Sequence, residues 1–344
     1  MTDAASATMA EWGEFGFIAA LRERLPQAYG DLKLGVGDDA AWWCPTVGQG
    51  ILTTTDMLVE GVHFDLSYTS AAALGYKSLA VNLSDLAAMG GRPACVYLSL
   101  ALPARLEKVW LETFIEAFLA SAKEYDVQLA GGDTVQAQQL VLSVTLCGLA
   151  LAPPLQRRGA AVGDDIYLSG TCGDSYLGLK LLQGTLPAGL VSPEAAAFLK
   201  NRHLRPVPRV ALGEILAASG SVSAMLDVSD GVVGDLNHLL TAAGGLGAEL
   251  EAARLPLSFA ARGFLEANLT DYVALLTGGE DYELLFTAAP GQRDIITAIA
   301  DRATVSLTRI GRITPTAGIF LLAEGKSEAL NARGGYDHFQ HQGC

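Results

Sequence analysis

Apolar residues recur at helical spacing along the chain, and the clearest stretch ends at the glycine pair 90–91. Leu74, Ser78, Val81 and Asp85 fall on one face of the predicted helix, and the two glycines mark its end. Asp85 therefore shares its face with apolar side chains, where a carboxylate is costly unless another group compensates its charge. A metal ion would provide that compensation.

Periods typical of helices and strands alternate over most of the remaining chain. The pattern predicts helices over residues 11–25, 106–125, 175–182, 192–203, 206–219 and 232–243. It predicts strands over residues 32–43 (interrupted by glycines), 51–56, 98–102, 127–130, 140–149, 165–169 and 224–227, and near residues 307 and 319. At 344 residues the chain is long for one core, so we expect an α/β (α+β) protein of two α/β domains, 1–150 and 151–344.

Composition narrows the class of protein. Half of the residues are hydrophobic and 17% are charged, which is typical of a folded globular chain. The net charge of −14 argues against binding to nucleic acid or to an anionic membrane surface. If an acidic protein of this kind handles phosphates, cations must screen the approach of the substrate.

The cysteines and the apolar stretches indicate where the protein resides. The five cysteines are scattered without a Cys-x-x-Cys pair, so we expect neither a disulfide framework nor a zinc site, and a reducing cytosol fits. The N-terminus lacks the pattern of a signal peptide. The uncharged stretch 140–156 is short and ends in two prolines, which favours a buried strand over a membrane span.

Besides Asp85, five short stretches pair an acidic residue with small or apolar neighbours: 37–39, 54–56, 131–133, 227–230 and 278–280. Carboxylates and hydroxyls are the hard oxygen ligands that Mg²⁺ prefers. Each stretch also has an ordinary interpretation, since Asp favours turns, Thr favours strands, and Ser229 or Asp230 could cap a helix. We expect several of the acidic stretches to meet in one place.

Other phosphate-binding and catalytic motifs are missing. Gly325-Lys-Ser327 is not a Walker A motif, because Phe320 stands where its first glycine should be. The adjacent aspartates 38 and 39 would repel a pyrophosphate in a dinucleotide fingerprint. Neither a nucleophilic serine motif nor enough histidine for a zinc hydrolase is present. Metal-assisted phosphate chemistry is the interpretation that the residues favour.

A weak internal sequence repeat suggests that the two halves of the chain are related. A Ser-Asp pair at 84–85 and another at 229–230 are each followed, at nearly the same distance, by a Gly-Gly-acid turn. Such self-similarity predicts duplication of one α/β unit.

Taken together, the motifs closely resemble those of the thiamine-monophosphate kinase family. The resemblance is carried by stretches that occur in the family's order: residues 35–41, 54–64, 81–90, 131–134, 227–231, 278–284 and 335–339. It implies ATP-dependent, Mg²⁺-requiring transfer of the γ-phosphoryl group to thiamine monophosphate, which gives thiamine diphosphate. It also implies the aminoimidazole ribonucleotide synthetase-like fold, with an N-terminal domain that binds Mg-ATP and forms a homodimer through its sheet. The C-terminal domain would complete the substrate and nucleotide site.

The resemblance also assigns roles to individual residues. Those implied to bind Mg²⁺ are Asp39, Thr54, Thr55, Asp56, Asp85, Asp133, Asp227 and Asp230, with Asp85 and Asp230 as the catalytic pair. Contacts to ATP are implied for Gly132, Asp133, Arg157 and Ser229, with Arg158 as the alternative to Arg157. His63, Glu280 and Tyr336 match positions that hold thiamine monophosphate. A carboxylate and an aromatic face suit the cationic thiazolium of this substrate.

The same fold serves other users of ATP, so fold alone does not decide the function. A hydrogenase-maturation relative modifies its own C-terminal cysteine, and this chain ends in Cys344, but the residues before it lack the expected tail. Selenophosphate synthetase would need a reactive cysteine or selenocysteine near the N-terminus, and the first 43 residues contain no cysteine. A metal- or nucleotide-binding sensor is the non-enzymatic alternative.

Overall fold

The computed structural model describes residues 8–25, 29–36, 40–186, 191–303 and 305–331. The chain divides into two compact units. The first comprises Met1–Leu86 and Arg92–Leu151, and the second comprises Ala87–Gly91 and Ala152–Cys344. Both units combine helices with a sheet, so the predicted α/β class is confirmed.

The first unit holds three helices and six strands in its described part. In chain order these are α1 (Met9–Arg24), β1 (Leu32–Leu34), β2 (Trp42–Trp43), β3 (Gly50–Val59), α2 (Ala71–Ala88), β4 (Gly91–Pro103), α3 (Lys108–Glu124), β5 (Gln128–Ala137) and β6 (Val141–Ala150). Strands β1 and β2 form a small antiparallel ribbon, and the other four form a sheet in the order β3-β6-β4-β5. The β3–β6 pair is antiparallel and the β4–β5 pair is parallel.

The two faces of this sheet have different environments. On one face α2 packs closely, because a Cβ added at Gly148 of β6 would lie 2.6 Å from the side chain of Leu86. Side chains that face α2, such as Leu98 and Val144, are buried. On the opposite face, which we call the open face, Ile51 and Met57 of β3 are more than half exposed. Residues that alternate along one strand are therefore divided between a packed face and the open face.

The second unit is built around a mixed sheet of seven strands in the order β13-β12-β9-β11-β7-β10-β8. Its elements are β7 (Asp165–Ser169), α4 (Asp174–Leu182), α5 (Pro193–Leu204), α6 (Val210–Ser219), β8 (Ala224–Asp227), α7 (Val232–Ala242), β9 (Gly247–Glu251), α8 (Phe259–Glu266), α9 (Tyr272–Thr277), β10 (Leu284–Ala288), α10 (Arg293–Ala303), β11 (Leu307–Thr314), β12 (Gly318–Ala323) and β13 (Lys326–Leu330). Every residue of β7, β8 and β10 is buried, so these neighbouring strands at the β8 end of the sheet lie in the core.

Most predicted elements occur where the sequence pattern places them, and β7 and β8 have the predicted bounds. Helix α6 begins at Val210 rather than at 206, since prolines at 206 and 208 lack the N–H groups that helix interior positions require. Helix α1 carries a non-helical glycine at position 13, with φ +74°. Several elements were not predicted, among them β9, α8, α10 and β13.

The predicted turn at 131–134 is wrong. The internal repeat suggested from the sequence is therefore wrong too, because it depends on that turn. Residues 131–134 lie inside β5 and pair with β4 in parallel, whereas residues 278–280 lie in a loop before β10. The Ser-Asp pair at 84–85 lies inside α2, but the pair at 229–230 precedes α7. The matching residues therefore lie in different kinds of element, and they do not occupy equivalent positions in the two units.

The long uncharged stretch from residue 140 forms strand β6, as expected. Among the residues that the structure describes, no helix combines the length and apolar character that crossing a membrane requires.

Candidate functional site

Two carboxylates and a hydroxyl meet on the packed face of the first unit's sheet. Thr54 and Asp56 alternate along β3 and point towards α2. Thr54 Oγ1 donates a hydrogen bond of 2.5 Å to Asp85 Oδ2. Burial, and then the negative charge of Asp85, raise the pKa of Asp56 to about 7. The charged form of Asp56 is therefore disfavoured beside Asp85, and a bound cation would stabilise it.

Thr55 and Asp133 lie on the other face of this sheet. The hydroxyl of Thr55 is 3.0 Å from that of Thr145 of β6, and Asp133 pairs with Ser99 in the β4–β5 register. Asp133 is exposed, and its Oδ1 accepts the N–H of Thr134 at 2.8 Å. The structure thus does not bring these two side chains together with Asp56 and Asp85, because strand geometry turns consecutive side chains to opposite faces.

Gly132 lies beside Asp133 and is in close contact with the neighbouring strand. A Cβ added at this position would lie 1.8 Å from the carbonyl oxygen of Leu98 on β4. Only glycine lets the two strands approach so closely. Gly132, which the sequence indicates as part of a turn, is therefore required by strand packing.

His63 lies in the loop after β3, and its ring is oriented by the backbone. Its Nδ1 accepts the N–H of Val59 at 3.0 Å, so the neutral ring carries its proton on Nε2. The ring is half-buried. The loop therefore presents a histidine of defined tautomer whose outer nitrogen is a hydrogen-bond donor.

In the second unit, three carboxylates lie close together where β8 leads into α7. Asp227 ends β8, Asp230 lies in the connecting loop, and Asp235 is in the first turn of α7. Burial, then the charge of Asp227, contribute most to raising the pKa of Asp235 to about 8, and Asp230 adds to this effect. Asp235 Oδ2 also accepts the N–H of Asp230 at 2.9 Å.

Sequence reasoning did not identify Asp235, and it left helix capping open as the alternative role of Ser229 and Asp230. The N-cap of α7 is Gly231, with no side-chain capping bond, so neither Ser229 nor Asp230 caps this helix. The available signal for Asp235 was an acidic residue among the apolar positions of an amphipathic helix, the same signal that identified Asp85.

The structure distinguishes between the two adjacent arginines. The charge of Arg157 acts on Asp235 and opposes the rise of its pKa. The side chain of Arg158 instead donates a hydrogen bond of 2.5 Å from Nε to Gln156 Oε1. Arg157 is therefore the arginine whose charge reaches the acidic residues at β8–α7.

Glu280 lies in a strained loop that is bonded to the β8–α7 connection. Its φ of +67°, and the +52° of Tyr282, are left-handed values that cost a non-glycine residue free energy. Two backbone hydrogen bonds of 2.8 Å hold the loop: Glu280 N–H donates to Ser229 O, and Tyr282 N–H donates to Val228 O. The loop is thereby held against the segment that carries Asp227 and Asp230.

A buried ionic cluster lies beside the Glu280 loop and was also missed from the sequence. Glu283 accepts hydrogen bonds from Arg202 Nη2 at 2.9 Å, Arg209 Nε at 2.7 Å and Ser169 Oγ at 2.6 Å. Asp281 accepts the N–H groups of Gly173 at 2.6 Å and of Ser175 at 3.0 Å. Burial contributes most to raising the pKa of Asp281 to about 7, against the charge of Arg202. The signal for the cluster was the run of acids at 280, 281 and 283 before an apolar strand.

Some predicted residues cannot be placed. Asp39, Tyr336 and Cys344 lie outside the described residues. Within the described ranges, no three acidic, histidine or cysteine side chains converge into a complete metal cage. Mg²⁺ commonly binds through one or two carboxylates and completes its shell with water and substrate phosphates. The acidic pair of the first unit and the acidic cluster of the second suit that mode of binding. Gly325-Lys-Ser327 forms the turn into β13 rather than a loop before a helix, so it is not a P-loop.

Comparison with known proteins identifies the family of this chain. The family models described as AIR synthase related protein match at residues 37–150 for the N-terminal domain and 161–323 for the C-terminal domain. The thiamine-monophosphate kinase of Escherichia coli strain K12 is 40% identical over 331 residues, which is 95% of this chain and 98% of that protein.

Solved structures of similar proteins cover nearly the whole chain. The thiamine-monophosphate kinase from Stenotrophomonas maltophilia K279a is similar with a TM-score of 0.79 and 41% identity, over 92% of this chain and 98% of that one. The structure of AaThiL complexed with AMPPCP and TMP is similar with a TM-score of 0.73 and 32% identity, over 98% and 100%. The chain described here therefore belongs to the thiamine-monophosphate kinase family, within the group of AIR synthase related proteins.

Proposed function

We propose that this enzyme transfers the γ-phosphoryl group of ATP to thiamine monophosphate and thereby makes thiamine diphosphate. One observation carries the proposal: the chain matches, over 98% of its length, a structure solved with a nucleotide analogue and TMP together. The paired carboxylates of the two units support it, because phosphoryl transfer depends on positioning and on charge screening.

Several Mg²⁺ ions assist the transfer in this proposal. In the first unit Thr54, Asp56 and Asp85 would hold Mg²⁺, and in the second unit Asp227 and Asp230 would do so. The other proposed ligands are Asp39, Thr55 and Asp133, and the last two would act on the other face of the sheet, apart from Asp56 and Asp85. Bound Mg²⁺ screens the negative charge of the phosphates during in-line displacement. The raised pKa values of Asp56 and Asp235 support this assignment, because burial and neighbouring carboxylates disfavour the charged form of both groups, and a bound cation would offset that effect.

The remaining roles belong to substrate recognition. Gly132, Asp133, Arg157 and Ser229 contact ATP in this proposal, and His63, Glu280 and Tyr336 hold thiamine monophosphate. The defined tautomer of His63 supports its role, because its Nε2–H can donate to a phosphate oxygen. The charge that Arg157 exerts on Asp235 supports its selection over Arg158.

The transfer is direct, with Asp85 and Asp230 as the catalytic carboxylates and no phosphorylated enzyme intermediate. The chain lacks the nucleophilic motifs that covalent catalysis uses. Recovery of labelled phosphate on the protein during turnover would contradict this mechanism.

The assembly we propose is a homodimer formed through the open face of the first unit's sheet. Exposed apolar side chains on β3, among them Ile51 and Met57, support it, since a contact between copies would bury them. Sedimentation of the wild type and of Met57→Lys tests this surface: the variant should lose the dimer. We also propose a cytoplasmic location, which the four unpaired cysteines among the described residues support.

A coupled assay with ATP, Mg²⁺ and thiamine monophosphate tests the function. We expect ADP and thiamine diphosphate to appear in equal amounts, and thiamine to be inactive as the control acceptor. Binding of both ligands without turnover would favour the sensor instead. Omission of Mg²⁺ should abolish product formation.

A further inference from the structure

His203 on α5 is a buried histidine in contact with Glu280. Its Nδ1 lies 3.2 Å from Glu280 Oε2 and 3.1 Å from Ser175 Oγ, and its side chain is 4% exposed. Glu280, by contrast, has 26% of its side chain exposed. The contact therefore joins a residue of the protein interior to a carboxylate at the surface.

The geometry determines which partner donates the proton. A carboxylate oxygen at 3.2 Å needs a proton on Nδ1, because two lone pairs at this distance repel each other. The Ser175 hydroxyl oxygen can accept a share of the same proton at 3.1 Å. His203 therefore donates to Glu280 and holds its carboxylate in one orientation.

The surrounding cluster immobilises both partners. Arg202, the preceding residue of α5, donates to the Asp281 carbonyl oxygen at 3.3 Å and to Glu283 at 2.9 Å, so α5 holds the chain that follows Glu280, while the Glu280 N–H is bonded to Ser229 O. Asp281 is in turn bonded to the N-terminal turn of α4 through the N–H of Ser175. Because the backbone on each side is anchored, the main freedom left to Glu280 is rotation of its side chain, and His203 restricts that rotation.

We propose that His203 is a positioning residue for thiamine monophosphate, which it affects through Glu280. This inference rests on the proposed function, in which Glu280 binds the cationic thiazolium. A carboxylate that is already oriented loses less side-chain entropy when the cation binds, so affinity for this substrate rises while ATP binding stays unchanged.

The test compares two polar replacements of His203. In His203→Asn the amide nitrogen can reach the position of Nδ1, whereas in His203→Gln it reaches the position of Nε2. We expect His203→Gln to raise KM for thiamine monophosphate about tenfold and His203→Asn to raise it less than about threefold, with KM for ATP and kcat within about twofold in both. The matched control is His238→Gln, at an exposed position of α7, and it should match the wild type.

A double-mutant cycle separates positioning from a general structural role. If His203 acts through Glu280, His203→Gln added to Glu280→Ala should change KM for thiamine monophosphate by less than about twofold beyond Glu280→Ala alone. Independent effects that multiply, or equal effects of Asn and Gln, would overturn the inference. A thermal unfolding curve for each variant confirms that the comparison is made on folded protein.

The outcome also separates this inference from the proposed function. A wild type that fails to phosphorylate thiamine monophosphate overturns the proposed function and, with it, the inference. A wild type that does so, with multiplicative effects in the cycle, overturns only the role of His203.

Discussion

At the scale of single residues, burial raises the pKa of a carboxyl group in each of the two units. Asp56 and Asp235 are acids whose pKa is raised mainly by burial and then by a neighbouring carboxylate. A buried carboxylate beside a second carboxylate is costly in its charged form, and it therefore indicates where positive charge would be stabilising.

Asp85→Asn should abolish most activity and leave the fold intact. The substitution keeps the volume of the side chain and removes the charge that acts on Asp56. We expect kcat/KM to fall about a hundredfold or more, because charge stabilisation during phosphoryl transfer is lost. Glu124→Gln, at the exposed end of α3, is the control and should keep full activity. Wild-type turnover in Asp85→Asn would show that Asp85 is a structural residue.

Glu280→Gln should separate the two substrates. It removes the negative charge that faces the cationic thiazolium in the proposed complex, so we expect KM for thiamine monophosphate to rise about tenfold and KM for ATP to change less than about twofold. Steady-state kinetics with each substrate varied in turn provide the measurement, and Glu266→Gln at the exposed end of α8 is the control. Equal effects on both substrates would place Glu280 among the metal ligands instead.

At the scale of elements, close backbone contacts position the strands that carry the predicted ligands. Gly132→Ala should lower the free energy of unfolding by about 2–4 kcal/mol, because the new methyl group overlaps the backbone of β4. Gly131→Ala is the matched control: its Cβ would lie 3.3 Å from the ring of Tyr97, which can move, so we expect a loss below about 1 kcal/mol. Denaturant unfolding measures both, and similar losses would show that the β4–β5 pair can separate to accept a side chain.

A second contact between elements is an ion pair that links α10 to strand β7. Asp165 of β7 accepts hydrogen bonds from Arg293 Nε at 2.6 Å and from Arg309 Nη1 at 3.2 Å. Burial raises the pKa of Asp165, but the hydrogen bond and charge of Arg293, together with those of Arg309, outweigh it and leave the pKa below its ordinary value.

Asp165→Asn should therefore destabilise the protein in a pH-dependent way. A lowered pKa in the folded state means that the stabilisation is complete above the unfolded-state value near 4 and is lost as pH falls below it. We expect a loss of about 1–2 kcal/mol at pH 7, since the exposure of Arg293 screens the pair, and a smaller loss at pH 3. Asp301→Asn on the surface of α10 is the control. A loss that stays the same at pH 3 would mean that packing, and not charge, is affected.

At the scale of the whole molecule, we expect three buried acids to make the stability of the protein depend on pH. Asp56, Asp235 and Asp281 have raised pKa values of about 7, 8 and 7. The folded state therefore holds protons that the unfolded state releases above pH 4. Without cations, the contribution of these groups is complete at low pH and decreases as pH rises from about 4 to 8.

We accordingly expect Mg²⁺ with a non-hydrolysable ATP analogue to raise Tm by several degrees at pH 8 and by less at pH 5.5, because protons compete with the cation. EDTA should reverse the effect. Differential scanning fluorimetry measures it, with Asp56→Asn as the comparison: at pH 8 without Mg²⁺ this variant should be the more stable protein, and its response to Mg²⁺ should be smaller. An equal shift at both pH values would contradict the assignment.

Sequence alone determined the class of fold, most of the elements and the acidic residues worth attention. Strand and helix periods are local properties, so β7 and β8 could be predicted to the residue, and Asp85 could be recognised as a carboxylate on an apolar helix face. The resemblance to a family added roles to these positions, because the residues of a motif and the order of the motifs are properties of the sequence.

Only the tertiary structure decided which side chains meet. The sequence places Thr54 and Thr55 side by side, but the β3–β6 pairing turns one towards Asp85 and the other towards Thr145. The same letters, Gly-Gly-acid, form a strand in β5 and a strained loop before β10, because neighbouring backbone differs at the two places. Asp235 and His203 became visible only through burial and through partners distant in the chain. Contacts of this kind depend on packing between elements, and a local pattern of residues does not contain them.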